Sequence, residues 1–222
     1  MKRLSIILSL VIGFLLIGNL TGVTPALGTV VSAITNKVVL YVNVARLYTK
    51  SPDETLAMPV QDVTKRQVTN TWHAPRGTDR RHQGQDIFAP RGTPILSATE
   101  GYIVRIGENS LGGQTVSVMG AGGRVYYYAH LDSYAPGIEE GDYVTTKTVL
   151  GYVGTTGNAA GTPPHLHFGV YSAGGAINPL PLLTDRPQEK AIKRKSATEN
   201  ADRKGSEPGY RVLSRSYPLL SV

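Results

Sequence analysis

The sequence has no cysteine among its 222 residues. This absence excludes disulfide bonds, zinc sites built from thiolates and a lipid-modified N-terminal cysteine. Long runs with helical periodicity are also scarce, whereas the chain holds 25 glycines, 14 prolines and 12 tyrosines. This composition is typical of a turn-rich, mainly β protein.

Positive charge is not in excess in the part of the chain that we expect to fold. The net charge is +7, but residues 4–184 carry twelve Lys or Arg against eleven Asp or Glu. The excess lies in Lys2, Arg3 and a basic tail, residues 185–222, which we predict to be disordered. A nucleic-acid-binding protein needs a basic surface on its folded part. We therefore expect no nucleic-acid partner.

The N-terminus has the form of an export signal. Lys2 and Arg3 are followed by an apolar run through residues 4–23. About 20 apolar residues can span a bilayer, so the run predicts either a cleaved signal peptide or an uncleaved anchor within residues 1–33. We expect the rest of the protein to lie in the periplasm or cell envelope, with membrane contact through residues 4–23.

Three further regions follow from the change in composition along the chain. Residues 34–70 are predicted to be a lead-in or linker with a β-like run at residues 38–44, and residues 185–222 form the tail. Between them, residues 71–184 contain many short strand-like runs separated by glycine-rich turns. This pattern predicts a compact, antiparallel β-sheet domain.

Two hairpins are predicted within this domain. In the first, residues 94–98 pair with residues 102–106 across a tight turn; in the second, residues 114–119 pair with residues 124–130 across four turn residues. A later strand carries two of the five histidines, His165 and His167. On a strand, residues two apart point to the same face.

A shared face would let His165 and His167 hold a metal or place a base beside it, because neutral imidazole is the commonest zinc ligand. Two incidental histidines on a surface strand are the alternative. His82 and Asp86 form a second cluster, in a loop that enters a strand, where Gly84 allows a tight path. A surface turn residue is the alternative for Asp86.

Together the two clusters supply one carboxylate and several imidazoles. Three protein ligands and one open position for water make a catalytic zinc site. Such a metal lowers the pKa of its bound water towards about 7, which permits peptide hydrolysis without a serine or cysteine nucleophile. His130 and one member of the pair His165 and His167 then remain as candidates for a general base and a transition-state stabiliser. For His130, a buried structural histidine is the alternative.

Six segments of the chain, in the same order, resemble the lysostaphin-type, or LytM-like, zinc endopeptidases of peptidoglycan. These segments are His82–Asp86, Ala89–Ile95, Tyr128–Leu131, Gly141–Val144, Leu150–Gly157 and Pro164–Phe168. The resemblance implies a compact antiparallel β domain in which His82, Asp86 and His167 hold zinc. It further implies that His165 is the general base, and that His130 orients the water or stabilises the developing oxyanion.

The activity that the resemblance implies is hydrolysis of peptide cross-links in peptidoglycan, with a metal-activated water as nucleophile. Some members of the family have lost ligands and activate cell-wall amidases instead, and a zinc enzyme acting on another protein is a third reading. All five site positions here hold the expected residue types, which favours an active enzyme. Gln85 and Gly169 depart from the usual pattern, and either His73 or Arg76 could replace an aromatic residue near the scissile bond.

Overall fold

A computed structural model describes residues 25–77 and 79–187 of the chain. The export segment predicted at residues 4–23 lies outside the described residues, as does most of the predicted tail at residues 185–222. Within the described part of the chain, no helix combines the length and the apolar character needed to cross a membrane.

The described residues form one α-helix, thirteen strands and four short 3-10 helices. The α-helix, α1, spans Pro25–Leu47, and the 3-10 helices span Lys65–Gln67, Ala121–Gly123, Gly157–Ala159 and Leu180–Leu182. The strands are β1 (Leu56–Ala57), β2 (Pro75–Arg76), β3 (Arg80–Arg81), β4 (Gln85–Phe88), β5 (Pro94–Leu96), β6 (Gly101–Asn109), β7 (Gly113–Gly120), β8 (Val125–Tyr134), β9 (Tyr143–Val144), β10 (Val149–Val153), β11 (His165–Ser172), β12 (Gly175–Ile177) and β13 (Leu183–Thr184).

Nine of these strands form one sheet. Its main path runs β12-β11-β8-β7-β6-β9, with β4 paired to β11 and β10 paired to both β5 and β8. Every pairing in this sheet is antiparallel. The predicted mainly β, antiparallel fold is therefore confirmed. Two small sheets accompany it, a parallel pair of β1 with β13 and the hairpin β2–β3.

One of the two predicted hairpins is correct. Strands β7 and β8 pair across a turn in which Gly122 and Gly123 both have positive φ, a conformation that glycine adopts without strain. The pairing predicted between residues 94–98 and 102–106 is wrong, because β5 pairs with β10 and β6 pairs with β7 and β9. The glycine at Gly101 indicates a turn, but it does not determine which strands pair.

The strand-like run predicted at residues 38–44 is instead part of α1, so that prediction was wrong. The run is rich in β-branched valine, which favours strands in isolation. In the fold, Leu47 is buried and Leu40 and Val44 are half-buried, at the three- to four-residue spacing of a helix face. Packing of this face decides the local structure.

The hydrophobic core draws on the segment that precedes the predicted domain. Leu56, Met58 and Val60 are fully buried and join the same core cluster as the sheet residues. Strand β1 also pairs with β13 near the end of the domain. The division at residue 71 remains a prediction, but residues 56–60 pack as part of the folded unit.

Strand β11 lies between β4 and β8, and this position builds the site. His167 is the pairing partner of Asp86 on β4 and of Ala129 on β8. Residues about eighty positions apart in the sequence thus become neighbours across a sheet.

Candidate metal centre

The side chains of His82, Asp86 and His167 converge on one point. His82 follows β3, Asp86 is the second residue of β4, and His167 is the third residue of β11. The distance from Asp86 Oδ1 is 3.1 Å to His82 Nε2 and 3.2 Å to His167 Nδ1, and the two nitrogens are 2.8 Å apart. One ligand atom from each residue lies within 4.8 Å of the others, an arrangement that could hold a metal ion.

The donor set fits zinc in both chemistry and spacing. Two imidazole nitrogens and a carboxylate oxygen are ligands that zinc takes in catalytic sites. Four ligands at about 2.0–2.1 Å in a tetrahedron lie about 3.3 Å from one another. The three observed separations between ligand atoms are close to this value.

Thr71 fixes two of the three candidate ligands. His82 Nδ1 donates a hydrogen bond to the carbonyl oxygen of Thr71 at 2.7 Å, which leaves the lone pair of Nε2 facing the site. The hydroxyl of Thr71 accepts a hydrogen bond from the backbone N–H of Asp86 at 2.9 Å. Sequence reasoning missed Thr71, because it lies outside both histidine clusters and carries no ligand group itself.

Gln85, one of the departures from the family pattern, holds the segment that contains Thr71. Its side chain is fully buried. The amide nitrogen donates to the carbonyl oxygen of Thr69, and the amide oxygen accepts a hydrogen bond from the N–H of Thr71 at 3.3 Å. An aliphatic side chain at position 85 would leave these two backbone groups without this partner. Gln85 is therefore a positioning residue for the site.

The carboxylate of Asp86 has different partners on its two oxygens. Oδ1 faces His82 and His167, whereas Oδ2 accepts a hydrogen bond from the guanidinium of Arg76. Burial alone would raise the pKa of Asp86, but hydrogen bonds and charge from His167 and His82 hold this pKa well below its usual value. The group is thus an ionised carboxylate with one oxygen directed at the candidate metal position.

Gly84 provides the space for the ring of His167. A Cβ atom at position 84 would lie 2.5 Å from Cε1 and 2.7 Å from Nε2 of His167, and 2.9 Å from the carbonyl oxygen of Phe168. Real Cβ atoms do not approach other heavy atoms so closely. The glycine between His82 and Asp86 is therefore required for the close packing of a ligand ring as well as for the path of the loop.

His130 and His165 lie beside the three candidate ligands. His165 Nε2 is 4.0 Å from Asp86 Oδ1, and the rings of His130 and His165 are 5.1 Å apart. His165 Nδ1 donates to the carbonyl oxygen of Pro163 at 2.8 Å, and His130 Nδ1 donates to that of Thr156 at 2.9 Å. In the neutral rings, Nε2 is therefore a free proton acceptor.

The backbone and the burial of His130 are both unusual. Its φ is 65°, in the left-handed region, and its N–H donates to the carbonyl oxygen of Gly112 at 2.7 Å. Burial lowers the pKa of His130 to about 4, so its ring is neutral near pH 7.

The candidate metal centre lies in a cleft of about 850 Å³. Residues of the hairpin β2–β3 line this cleft, as do Asn109, Leu111 and Gly112 and, later in the chain, Asn158, Ala159 and Thr162. Of the two residues suggested to contact the scissile bond, Arg76 lines the cleft. His73 instead stacks on Trp72, with ring centroids 4.4 Å apart.

The five residues proposed from the sequence thus line one cleft together. His82, Asp86 and His167 form the group that could bind a metal, and His130 and His165 surround it. Which of them bind metal and which transfer protons stays a prediction.

The sequence profile of peptidase family M23 matches residues 80–179. The L-Ala–D-Glu endopeptidase of Bacillus subtilis is 35% identical over 138 residues, covering 57% of this chain and 42% of that protein. The peptidoglycan DD-endopeptidase ShyC of Vibrio cholerae is 29% identical over 124 residues, covering 56% of this chain and 27% of that protein. The chain therefore spans less than half the length of these two curated relatives.

A solved structure of a lysostaphin catalytic domain also resembles the chain. This domain, from Staphylococcus simulans, shares 31% sequence identity with a TM-score of 0.46. The match covers 51% of this chain and 88% of the lysostaphin domain.

Proposed function

We propose that this chain, whose residues 80–179 match the sequence profile of peptidase family M23, is a zinc-dependent endopeptidase that hydrolyses peptide cross-links of peptidoglycan. The observation that carries the proposal is the convergence of His82, Asp86 and His167 in the cleft, with two further imidazoles beside them. The relatives include a peptidoglycan DD-endopeptidase and an L-Ala–D-Glu endopeptidase, which supports the choice of substrate.

In this proposal His82, Asp86 and His167 hold the zinc ion. When bound, zinc would lower the pKa of a coordinated water and polarise the peptide carbonyl. The protein prepares the ligands for this task by fixing His82 through Thr71 and Asp86 through Arg76. Partners of this kind orient ligands and raise metal affinity.

His165 is the proposed general base. Its Nδ1–H is bound to the carbonyl oxygen of Pro163, so Nε2 is free to accept a proton from the attacking water. As the peptide C–N bond breaks, the same nitrogen can return this proton to the leaving amine. Water thus adds to the carbonyl carbon, and its proton ends on the new amino terminus.

His130 is better placed to orient the water than to stabilise an oxyanion. Because Nδ1 donates to Thr156, Nε2 could donate a hydrogen bond to an oxyanion only if the ring were protonated. The lowered pKa of His130 opposes protonation at neutral pH. As an acceptor, Nε2 can instead align an O–H of the attacking water with the carbonyl.

The location and domain boundaries belong to the same proposal. We place the peptidase domain at residues 71–184, preceded by an export segment at 1–33 and a lead-in at 34–70, and followed by a tail at 185–222. The profile match at residues 80–179 falls inside the proposed domain. Peptidoglycan lies outside the cytoplasmic membrane, so the domain is placed in the cell envelope. The location is tested by fusing the chain to a reporter enzyme that works only in the cytoplasm. Activity of this reporter in the fusion would contradict the location.

The proposed activity is tested by mass spectrometry of muropeptides before and after incubation of purified peptidoglycan with the zinc-loaded chain. We expect new amino and carboxyl termini at one type of peptide bond, and complete loss of these products with chelator or with His82→Ala. The variant His73→Asn, outside the cleft, is the matched control. A zinc-loaded chain that releases no new termini but stimulates a separate amidase would instead be a regulator.

A further inference from the structure

The hairpin wall of the cleft presents two arginines on the same face. Arg76 and Arg80 are directly paired across strands β2 and β3, and paired residues in an antiparallel hairpin project their side chains to one side. Arg76 reaches into the cleft on this side, where it binds Asp86. Arg80 also lines the cleft.

The charges on this wall are not balanced. Asp86 neutralises Arg76, whereas Arg80, Arg81 and Asp79 are exposed, and none of these three makes an ion pair with any residue that the structure describes. All three line the cleft, so two arginines and one aspartate leave a net charge of +1 on the hairpin. Arg80 is therefore available to pair with an anionic ligand.

The rest of the cleft offers no competing charge. Apart from the hairpin and the five site residues, the residues that line it are uncharged, and they include Asn109, Leu111, Gly112, Asn158, Ala159 and Thr162. A peptide in the cleft therefore meets a net positive charge at the hairpin and uncharged residues elsewhere around the site. This asymmetry favours a peptide with a negative group facing the hairpin.

We propose that Arg80 binds a free carboxylate of the peptide substrate and gives the enzyme a preference for acidic peptides, with Arg81 adding to the local positive charge. A guanidinium can bind a carboxylate through two parallel hydrogen bonds, a geometry that an amide cannot reproduce. The inference rests on the proposed function, because it requires a peptide in this cleft.

The test compares two forms of one substrate preparation. Soluble cross-linked muropeptides are used as prepared, with free carboxylates, or after conversion of the carboxylates to primary amides with carbodiimide and ammonia. We expect the zinc-loaded full chain to cleave the free acids with a kcat/KM about tenfold higher than the amides, the size of one charge-assisted hydrogen bond at a partly exposed site.

Variants of Arg80 identify the source of this preference. In Arg80→Ala the acid-to-amide ratio of kcat/KM should fall to about one, mainly through a higher KM for the acids. Arg80→Lys should keep part of the ratio, because it keeps the charge but not the bidentate geometry. Arg105→Ala removes the same charge from an exposed strand position outside the cleft, and it should leave the ratio unchanged.

Failure of this inference can be told apart from failure of the proposed function. If the parent chain cleaves both forms and Arg80→Ala keeps the parent ratio, the inference is overturned and the peptidase activity stands. If the parent chain cleaves neither form, the proposed function fails. Equilibrium binding of fluorescent acid and amide muropeptides then decides the inference: tighter binding of the acids, lost in Arg80→Ala, supports it, and equal binding overturns it.

Discussion

Asp86 and His167 are 81 residues apart in the sequence, yet they are direct partners in the antiparallel pairing of β4 with β11, and Oδ1 of Asp86 lies 3.2 Å from Nδ1 of His167. The pairing register therefore sets the distance between two candidate metal ligands. A shift by one residue would turn one of them to the other face of the sheet. Substitutions that disturb this register, or the imidazole rings beside it, should therefore weaken metal binding more than they destabilise the overall fold.

Gly84→Ala should weaken zinc binding by about tenfold or more. The new Cβ would collide with the ring of His167 and with the carbonyl oxygen of Phe168. The ring of His167 must therefore move away from the metal position. Zinc affinity is measured by competition with a chromophoric chelator. Gly107→Ala is the control, because a Cβ at that position has no neighbour within 4 Å. Equal zinc affinities in the two variants would contradict this role of Gly84.

Gln85→Leu should lower both stability and zinc affinity. The substitution removes the partners of Thr69 and Thr71, and leaving buried backbone groups unpaired costs about 1–3 kcal/mol. It also frees the segment that orients His82, so we expect zinc affinity to fall about tenfold. Urea unfolding of the zinc-free chain gives the first quantity and chelator competition the second. The exposed Gln61→Leu should change neither, and an unaltered zinc affinity in Gln85→Leu would remove Gln85 from the positioning residues.

His165→Ala should separate catalysis from metal binding. Loss of the general base is expected to reduce kcat by about 10²–10⁴-fold, whereas zinc content should stay at one ion per chain. The two quantities are measured by muropeptide cleavage and by metal analysis of the purified protein. Loss of zinc together with activity would instead make His165 a ligand.

Asp53→Ala should destabilise the fold at a distance from the cleft. Oδ2 of Asp53 accepts hydrogen bonds from Thr99 Oγ1 at 2.6 Å and from Tyr126 OH at 3.0 Å. Burial, together with the nearby charge of Asp53, raises the pKa of the fully buried Tyr126, so its hydroxyl remains a donor across the ordinary pH range. Removing the acceptor should lower the free energy of unfolding by about 1–3 kcal/mol.

The measurement is the urea midpoint of Asp53→Ala, with the exposed Glu54→Ala as control. A double-mutant cycle with Tyr126→Phe isolates the contact, since the second substitution should cost less once Asp53 is absent. Strictly additive effects of the two substitutions would show that Asp53 does not stabilise the fold through Tyr126.

The sequence predicts the parts of this protein that depend on local pattern. The histidines at 165 and 167 lie on a strand, the turn at Gly122 and Gly123 closes a hairpin, and His82 precedes a strand that carries Asp86. These features depend on residue type at short spacing, which a single sequence displays directly. The antiparallel β class follows from the same short strands and glycine turns.

The features that the sequence did not reveal depend on contacts between distant segments. Residues 38–44 carry a strand-like pattern, but one face of that run packs as a helix. Thr71 and Gln85 belong to no motif of metal ligands or catalytic residues. They contribute to the site only because the fold places the backbone of Thr71 beside His82 and the side chain of Gln85 against residues 69 and 71. The sequence also predicted the wrong partner for β5, which pairs with β10. A turn-forming glycine shows where a strand ends, but it does not show which strand the next one pairs with.

Anomalous diffraction at the zinc edge from crystals of the zinc-loaded chain tests the central claim most directly. We predict one peak per chain, at bonding distance of about 2.0–2.2 Å from His82 Nε2, Asp86 Oδ1 and His167 Nδ1, with the rings of His130 and His165 not coordinated. A peak elsewhere, or an ion that takes His130 or His165 as a ligand in place of one of these three residues, would contradict the account.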